Sequence, residues 1–275
     1  MAGPISIERL TGLVEHPAVE SRPPMLFLHG YFADASVYAP WLAFFAERGH
    51  RALALNFRGR GGSQPGTVLG RVSVHDYADD ALVAARWLGR PIVVGHSMGG
   101  LVAQMIAARD AVRAAVLVAP APPRGITVLS PALAVAQLRY LPAILSSRVV
   151  RPGRADLRRL VMNRVPVRMQ DEVIDHLVPD SGRAGREMSI VGVPVDASRI
   201  RVPVFVIGGE DDRFVPLGRV RQVARRYRAP LLVVEGHGHM LLLEPGWEEV
   251  ADRIEQWITR EGDDPTVAAR GTAAG

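Results

Sequence analysis

The sequence predicts a single α/β domain with a mostly parallel central sheet, helices on both faces of that sheet, and a helical insertion near the middle of the chain. Short apolar runs alternate with longer amphipathic segments, the pattern of buried strands connected by helices. The alternation stops between about residues 120 and 201, where short helical segments are separated by Pro and Gly. With 48% hydrophobic and 22% charged residues, a chain of 275 residues can bury such a sheet in one domain.

Each strand and helix of the main body has a local signal. Near the N-terminus, Ile5–Val14 predicts an antiparallel strand or hairpin at the sheet edge. Apolar runs predict six further strands, at Met25–His29, Ala52–Asn56, Ile92–Gly95, Ala114–Ala119, Val204–Gly208 and Leu231–Val234. Helical periodicity predicts helices at Val37–Arg48, Val74–Leu88, Leu101–Arg109, Gly218–Tyr227 and Trp247–Arg260. Ser36 is the expected N-cap of the first helix, and Gly49 ends it.

The same pattern divides the chain into a core, an insertion and a tail. The core is expected to comprise residues 1–120 and 200–261, and the insertion residues 121–199. Within the insertion, helical segments are expected at Ala132–Leu141, Ala155–Met162 and Gln170–Leu177. Residues 262–275 are small, polar and aperiodic, so we expect a disordered tail there.

The composition excludes several classes of function. The formal charge is +5, and all 33 basic residues are Arg. These arginines are dispersed, and the densest stretch, Arg148 to Arg168, has no aromatic residue on which a base could stack, so we expect no nucleic-acid partner. The absence of Cys excludes disulfides and thiolate nucleophiles, and the absence of Lys excludes a Schiff base on a side-chain amine.

Two features bear on cellular location. No stretch reaches the roughly 18 to 20 uninterrupted apolar residues that a helix needs to cross a bilayer. The N-terminal residues Met1 to Ile5 lack the basic and then apolar segments of a secretory signal. We therefore expect a soluble, cytoplasmic protein without a membrane span.

The motif with the sharpest chemical meaning is Gly95-His96-Ser97-Met98-Gly99, which fits the G-x-S-x-G nucleophile elbow. An apolar strand precedes it and an Ala- and Leu-rich helix follows it, as an elbow requires. Glycines before and after the central triplet allow the backbone to approach closely around a tight turn. A Gly-rich turn that carries Ser by chance would not need this context, so we interpret Ser97 as a nucleophile.

A serine hydroxyl needs a base beside it and an acidic residue that orients the base. In chains that carry a nucleophile elbow, the acidic residue comes next in the sequence and the histidine after it, each in a loop at a strand end. The acid loop offers Glu210, Asp211 and Asp212. Asp212 stands at the usual interval before Val215-Pro216, so we prefer it and interpret the other two as solvated charges.

The base loop offers two histidines, His237 and His239. His239 precedes the apolar run Met240-Leu241-Leu242, so it is expected to lie against packed structure, whereas His237 is interpreted as a polar loop residue. We therefore prefer His239 as the base.

An acyl-transfer intermediate carries an oxyanion that needs two backbone donors. One is expected from the residue after the nucleophile, Met98. The other is expected from the N–H of Tyr31, in the loop after the first parallel strand, where Gly30 permits close approach. The neighbouring His29 suggests a base, but we interpret it as a histidine that braces this loop.

Together these motifs resemble those of the α/β-hydrolase superfamily, in the cap-bearing branch that includes esterases, lactonases and C–C-bond hydrolases. The resemblance extends from Ile5 to Arg260 and rests on His29-Gly30, Arg58-Gly59-Arg60-Gly61-Gly62-Ser63, Gly95 to Gly100, Asp212 to Pro216, and Gly238-His239. It implies an α/β-hydrolase fold in which the insertion is a cap, or lid, over the active site. It also implies a triad of Ser97, Asp212 and His239, with Tyr31 and Met98 at the oxyanion hole. Supporting positions around this site are expected at His29, Gly30, Gly95, His96 and Gly99.

Two positions depart from the family pattern. Asn56 stands where the family often has Asp, which alters a supporting loop contact. Tyr31-Phe32 replaces the x-Pro that often follows His-Gly, which weakens any analogy to dehalogenases, perhydrolases and haloperoxidases. Dehalogenases and epoxide hydrolases of this fold also carry Asp at the elbow, so Ser97 favours acyl chemistry.

We therefore expect a serine hydrolase that cleaves a carboxylic ester, lactone or thioester of a small molecule through an acyl-enzyme, with no metal or organic cofactor. C–C bond hydrolysis, or acyl transfer with cyclisation, would use the same triad, and a non-catalytic ligand receptor is a further alternative. The sequence predicts no oligomeric state. An apolar acyl group is expected from the aliphatic residues of the insertion, which include Leu129, Leu133, Leu138, Leu141, Ile144, Leu145, Met162, Met169 and Met188.

Overall fold

The computed structural model describes residues 1–127 and 138–262. Within these ranges the strands are β1 (Gly3–Ile7), β2 (Leu10–Glu15), β3 (Met25–Leu28), β4 (Ala52–Asn56), β5 (Ile92–His96), β6 (Ala114–Val118), β7 (Val149–Val150), β8 (Asp180–Ser181), β9 (Val204–Gly209) and β10 (Leu231–Val234). The α-helices are α1 (Ala39–Ala46), α2 (Val74–Leu88), α3 (Met98–Ala107), α4 (Leu141–Leu145), α5 (Arg154–Asp156), α6 (Val167–His176), α7 (Gly182–Arg186), α8 (Leu217–Tyr227) and α9 (Trp247–Gly262).

Eight of these strands form one sheet with the order β1-β2-β4-β3-β5-β6-β9-β10. The pairs β1–β2 and β2–β4 are antiparallel, and every other neighbouring pair in the sheet is parallel. The predicted α/β class, the mostly parallel sheet and the hairpin at its edge are thereby confirmed. The ends of the six other predicted strands differ from the observed ends by no more than one residue.

Side chains alternate between the two faces of the sheet and build a core on each. On β3, Leu26 and Leu28 pack with residues of α2, α3 and α8. Met25 and Phe27, on the opposite face of the same strand, pack with residues of α1 and α9. Burial of each such side chain contributes roughly 1.5–3 kcal/mol, so a sheet covered on both faces is a rigid platform for the loops at its edges.

The first helix begins later than the sequence predicts. Ser36 lies inside a 3-10 turn, Ala35–Tyr38, and the side chain of Asp34 accepts the hydrogen bond that caps this turn. The α-helix starts at Ala39, with Pro40 in its first turn. Proline is well suited to that position because it lacks the N–H that a first turn leaves without a partner. The assignment of Ser36 as N-cap was therefore wrong.

The chain between β6 and β9 contains more than the expected helices. The segment predicted at Ala155–Met162 is the short α5 followed by a π-helical turn, Leu157–Val161. The segment predicted at Gln170–Leu177 belongs to α6, which begins three residues earlier and ends one residue earlier than predicted. A two-residue antiparallel pair, β7 with β8, was not predicted, nor was α7 with the π-helical turn Glu187–Val191 that follows it.

Some predictions fall outside the described ranges. They are most of the helix expected at Ala132–Leu141, the aliphatic residues Leu129 and Leu133, and the tail beyond residue 262. In the part of the chain that is described, no helix is both long enough and apolar enough to cross a membrane.

Candidate active site

Ser97 stands on a sharp turn between β5 and α3. Its backbone angles are φ +53° and ψ −116°, in a region that non-glycine residues rarely adopt. The turn is tied down on both sides, because the Ser97 N–H donates to the Val118 carbonyl at 3.0 Å and the Ser97 carbonyl accepts from the Ala121 N–H at 2.9 Å. Strained backbone of this kind persists only where neighbouring structure holds it.

The glycines around Ser97 are required by contact with other backbone. A Cβ on Gly95 would collide with the carbonyl of Gly99, and a Cβ on Gly99 would collide with the carbonyl of Leu28 at the end of β3. A Cβ on Gly100 would lie 2.8 Å from the Pro120 side chain. The elbow therefore sits in direct backbone contact with both neighbouring strand ends.

His239 lies between Ser97 and Asp212, although the three residues are far apart in the sequence. Its Nε2 is 3.1 Å from Ser97 Oγ, and its Nδ1 is 2.8 Å from Asp212 Oδ2. In the tautomer that carries its proton on Nδ1, the imidazole donates to the Asp212 carboxylate and can accept the serine proton. All three side chains are buried, with exposures of 3% to 6%.

Three acidic residues, Glu210 to Asp212, lie in the loop after β9, and Asp212 is the one that contacts His239. Asp212 turns one oxygen to His239, and its other oxygen accepts the backbone N–H groups of Phe214 and Val215, both at 2.8 Å. Asp211 instead forms an ion pair with Arg164 of the insertion, and Glu210 is exposed. In the loop after β10, the Nδ1–H of His237 donates to the carbonyl of Glu235 at 3.1 Å, and the described hydrogen bonds of this ring do not include Ser97 or Asp212.

Two buried side chains hold the backbone around His239. The Nε2–H of His96 donates to the His239 carbonyl at 2.8 Å. The carboxylate of Glu244 accepts from the N–H groups of Gly238 at 2.7 Å and Met240 at 3.1 Å. The sequence predictions included His96 as a supporting residue but missed Glu244, whose only local signal is a lone acidic residue that ends the run Met240 to Leu243.

The loop after β3 lies directly opposite the elbow. A Cβ on Gly30 would lie 3.2 Å from Ser97 Cβ, which measures how closely the two turns approach. Among the described residues, we find no hydrogen-bond acceptor for the backbone N–H of Tyr31 or of Met98. Two free donors beside a buried hydroxyl could together receive a negatively charged oxygen.

His29 has both ring nitrogens engaged within this loop. Its Nδ1–H donates to the Gly30 carbonyl at 2.9 Å, and its Nε2 accepts the Phe57 N–H at 3.3 Å. Burial, reinforced by the positive charge of Arg60, lowers the pKa of His29 to about 3. Burial and the neighbouring His239 likewise lower the pKa of His96 to about 3. Both rings are therefore neutral at ordinary pH, and neither competes with His239 for a proton.

A mainly apolar cavity of about 160 Å³ opens onto Ser97 and His239. The main body and the insertion both contribute to its wall, chiefly through Phe32, Phe214, Met240, Ile144, Leu157, Leu160 and Met188. Of the aliphatic residues singled out in the sequence, Ile144 and Met188 line this cavity, whereas Leu138 and Leu145 are more than half exposed to solvent.

Comparisons with known proteins agree with the α/β-hydrolase fold described above. The sequence profile described as "Alpha/beta hydrolase family" matches residues 25–253. The monoacylglycerol lipase of Mycolicibacterium smegmatis is 28% identical over 258 residues, which cover 88% of this chain and 90% of that protein. A Mycoplasma pneumoniae protein named for esterase or lipase activity is 33% identical over 104 residues, 36% of this chain and only 38% of the relative.

One solved structure illustrates the shared architecture. The crystal structure of Paleococcus ferrophilus monoacylglycerol lipase superposes with a TM-score of 0.69 at 23% identity, covering 90% of this chain and 98% of that one. At this level of identity, the superposition shows a common fold.

Proposed function

The chain belongs to the alpha/beta hydrolase family, and on that premise we propose that it is a serine hydrolase that cleaves a carboxylic ester, lactone or thioester with an apolar acyl group. Ser97 is the nucleophile, His239 the general base, and Asp212 the residue that orients the imidazole. The backbone N–H groups of Tyr31 and Met98 form the oxyanion hole. The observation that carries the proposal is the pair of short contacts from His239, 3.1 Å to Ser97 Oγ and 2.8 Å to Asp212.

The acylation step follows from these contacts. His239 Nε2 accepts the proton of Ser97 as Oγ attacks the carbonyl carbon, and the imidazolium that forms is stabilised by the Asp212 carboxylate. Negative charge develops on the carbonyl oxygen, where two preorganised N–H donors lower the barrier. Collapse of this intermediate breaks the bond to the alcohol or thiol, which leaves with the proton from His239.

Deacylation repeats the chemistry with water as the nucleophile. His239 accepts a proton from a water molecule that attacks the acyl-enzyme, and returns that proton to Ser97 Oγ as the acid departs. The residues in these steps are those of this chain, and none of the steps calls for a metal or an organic cofactor.

The insertion, residues 121–199, acts in this proposal as the cap over the site. Support comes from its contribution to the cavity wall, where Ile144, Leu157 and Leu160 face the same space as Phe214 and other residues of the main body. Because an aliphatic wall offers burial but few polar partners, it favours an apolar acyl chain over a charged one. The names of two similar proteins, both monoacylglycerol lipases, suggest an acylglycerol as a second test substrate.

The decisive experiment combines a substrate series with loss of the nucleophile. The purified protein is assayed with p-nitrophenyl esters from acetate to octanoate and with a monoacylglycerol, beside Ser97→Ala. We expect the rate to rise with chain length from acetate and the variant to lose activity by several orders of magnitude. An active Ser97→Ala protein would refute the mechanism, and a flat or falling series would refute the apolar acyl preference.

The alternatives give different outcomes in the same assays. A receptor with this fold would leave Ser97 unlabelled by a fluorophosphonate probe although the protein is folded. A C–C bond hydrolase would label but would prefer a vinylogous diketone to the esters.

A further inference from the structure

A short segment of the insertion, residues 178–181, is fastened to the loop that carries the proposed oxyanion donor. The backbone N–H of Phe32 donates to Asp180 Oδ2 at 3.0 Å, and the Phe32 carbonyl accepts from the Val178 N–H at 2.8 Å. The hydroxyl of Tyr31 donates to the carbonyl of Ser181 at 2.5 Å. Both polar groups of the Phe32 backbone and the side chain of Tyr31 are thus held by this segment.

Asp180 is itself held by a buried ion pair. Its Oδ1 pairs with the guanidinium of Arg60, and both residues are almost completely shielded from solvent. The hydroxyl of Tyr77 accepts from Arg60 at 3.0 Å and donates to the same Asp180 oxygen at 2.9 Å, and the Ser181 N–H donates to that oxygen at 2.6 Å. Because one carboxylate oxygen is fixed in this way, the other is left in a single orientation, toward Phe32.

The held backbone would not keep its conformation by itself. Phe32 has φ +69°, in the left-handed region that a bulky residue rarely adopts. The Tyr31 N–H is one peptide before the bond that Asp180 holds, and the two peptides share the Tyr31 Cα. If the Phe32 N–H lost its acceptor, relaxation of this strained residue would turn the neighbouring peptide as well.

We propose that Asp180 is a positioning residue for the oxyanion hole, which holds the Phe32 N–H so that the Tyr31 N–H points at the developing oxyanion. The inference rests on the proposed function, because an oxyanion forms only if Ser97 attacks a carbonyl group. The insertion then contributes to the rate of the chemical step as well as to the shape of the cavity.

Asp180→Asn tests the proposal. The positive charge of Arg60 favours the amide oxygen, so the amide NH2 would face the Phe32 N–H, donor against donor. We expect kcat per active site to fall about ten- to a hundredfold while KM for p-nitrophenyl butyrate changes less than about threefold, because the hole stabilises the transition state. Active sites are counted by the stoichiometry of fluorophosphonate labelling, so a misfolded fraction does not lower the measured kcat.

A matched control is available within the insertion. Glu187 is also a carboxylate that accepts a backbone N–H from the main body, that of Val74 at 2.8 Å. Its other described partner is Arg183, so its contacts do not reach the Tyr31 loop. Glu187→Gln should therefore keep the wild-type kcat per active site.

A double variant covers the case in which Asp180→Asn fails to fold because Arg60 is left buried and unpaired. In Asp180→Asn with Arg60→Met, no charge is left unpaired, and the Ser181 N–H, which donates to Asp180 Oδ1 at 2.6 Å, still holds the amide oxygen. The amide NH2 therefore still faces the Phe32 N–H. We expect kcat per site to fall about ten- to a hundredfold, as in the single variant, because the Phe32 N–H still lacks an acceptor.

The outcomes separate this inference from the proposed function. Asp180→Asn with the wild-type kcat per site would overturn the role of Asp180, and so would a folded double variant with the wild-type kcat per site. A wild-type protein that hydrolyses none of the esters would instead overturn the proposed function.

Discussion

Glu244 accepts hydrogen bonds from the backbone on both sides of His239. Its two carboxylate oxygens accept the N–H groups of the residues immediately before and after the histidine, and the Glu244 side chain is buried. Burial raises the pKa of this carboxyl above its ordinary value, against the opposing effect of the two N–H donors. The residue therefore combines a positioning role with a stability cost that depends on pH.

Replacement of Glu244 should slow the reaction more than it weakens substrate binding. In Glu244→Gln, one of the two backbone N–H groups faces an amide NH2 instead of an oxygen, so the loop that carries His239 shifts. A misplacement of about 1 Å can cost roughly a hundredfold in rate, and we expect kcat to fall by about ten- to a hundredfold with little change in KM. Steady-state kinetics on a p-nitrophenyl ester measures both. A larger effect on KM than on kcat would contradict the positioning role.

The same variant should change how stability depends on pH. The pKa of Glu244 in the folded protein lies above its unfolded value near 4.5. Between these two pKa values the carboxyl keeps its proton in the folded state but loses it in the unfolded state, so the contribution of Glu244 to stability declines as the pH rises from one value to the other. The free energy of unfolding of the wild type, measured relative to that of Glu244→Gln, should therefore fall as the pH rises from 4.5. Urea unfolding at several pH values measures this difference, and a constant difference would contradict the prediction.

Asp212 and Asp211 are adjacent but should differ sharply in effect. Asp212→Asn removes the acceptor for His239 Nδ1–H and favours the wrong tautomer, so we expect kcat to fall by about four orders of magnitude. Asp211→Asn removes only an ion pair with the half-exposed Arg164 and should stay within about twofold of wild type. Equal losses in the two variants, at equal folded fraction by circular dichroism, would refute the choice of Asp212.

Two buried histidines should make the fold sensitive to acid. Burial lowers the pKa of both His29 and His96 to about 3, from 6.5 in the unfolded chain. The stability that each contributes is complete above pH 6.5 and is lost as the pH falls toward 3, by up to about 3 kcal/mol for each residue at pH 4. His96→Gln should therefore lose less stability than wild type between pH 7 and pH 4 in urea unfolding. The exposed His16 is the matched control, and His16→Gln should behave as wild type.

Two glycines should respond in opposite directions to the same substitution. Gly99→Ala drives a methyl group into the Leu28 carbonyl and should abolish activity and lower the melting temperature. Gly218 lies in α8 with nothing within 4 Å of an added Cβ, so Gly218→Ala should stabilise the protein by about 0.5–1 kcal/mol. Thermal unfolding and an ester assay on both variants give the comparison, and an active Gly99→Ala protein would contradict the close approach of β3 to the elbow.

Much of the fold could be predicted because its signals are local. The strands around Ser97 and before His239 are uninterrupted apolar runs, and the elbow is a five-residue motif. The choice of Asp212 and His239 over their neighbours also used local cues, and those two side chains do lie within hydrogen-bonding distance of one another. Their catalytic roles stay a prediction that the variants above will test.

The parts that could not be predicted depend on distant partners. Asp180 pairs with a residue 120 positions earlier in the chain, and nothing in the sequence around either residue indicates the other. The strands β7 and β8 are two residues long and exist only because they pair with each other. Ser36 was an acceptable cap by residue type, but Asp34 and Pro40 together set a different start for the helix.

The strands on either side of the insertion, β6 and β9, hydrogen-bond directly to each other. The sheet therefore forms without help from the residues between them, so that whole stretch can be exchanged as one segment without breaking a strand pair of the sheet. The buried guanidinium of Arg60 restricts this freedom. Any segment transplanted from a relative must deliver an acidic partner to it, so swapped chimeras should succeed only when the donor segment carries such a residue.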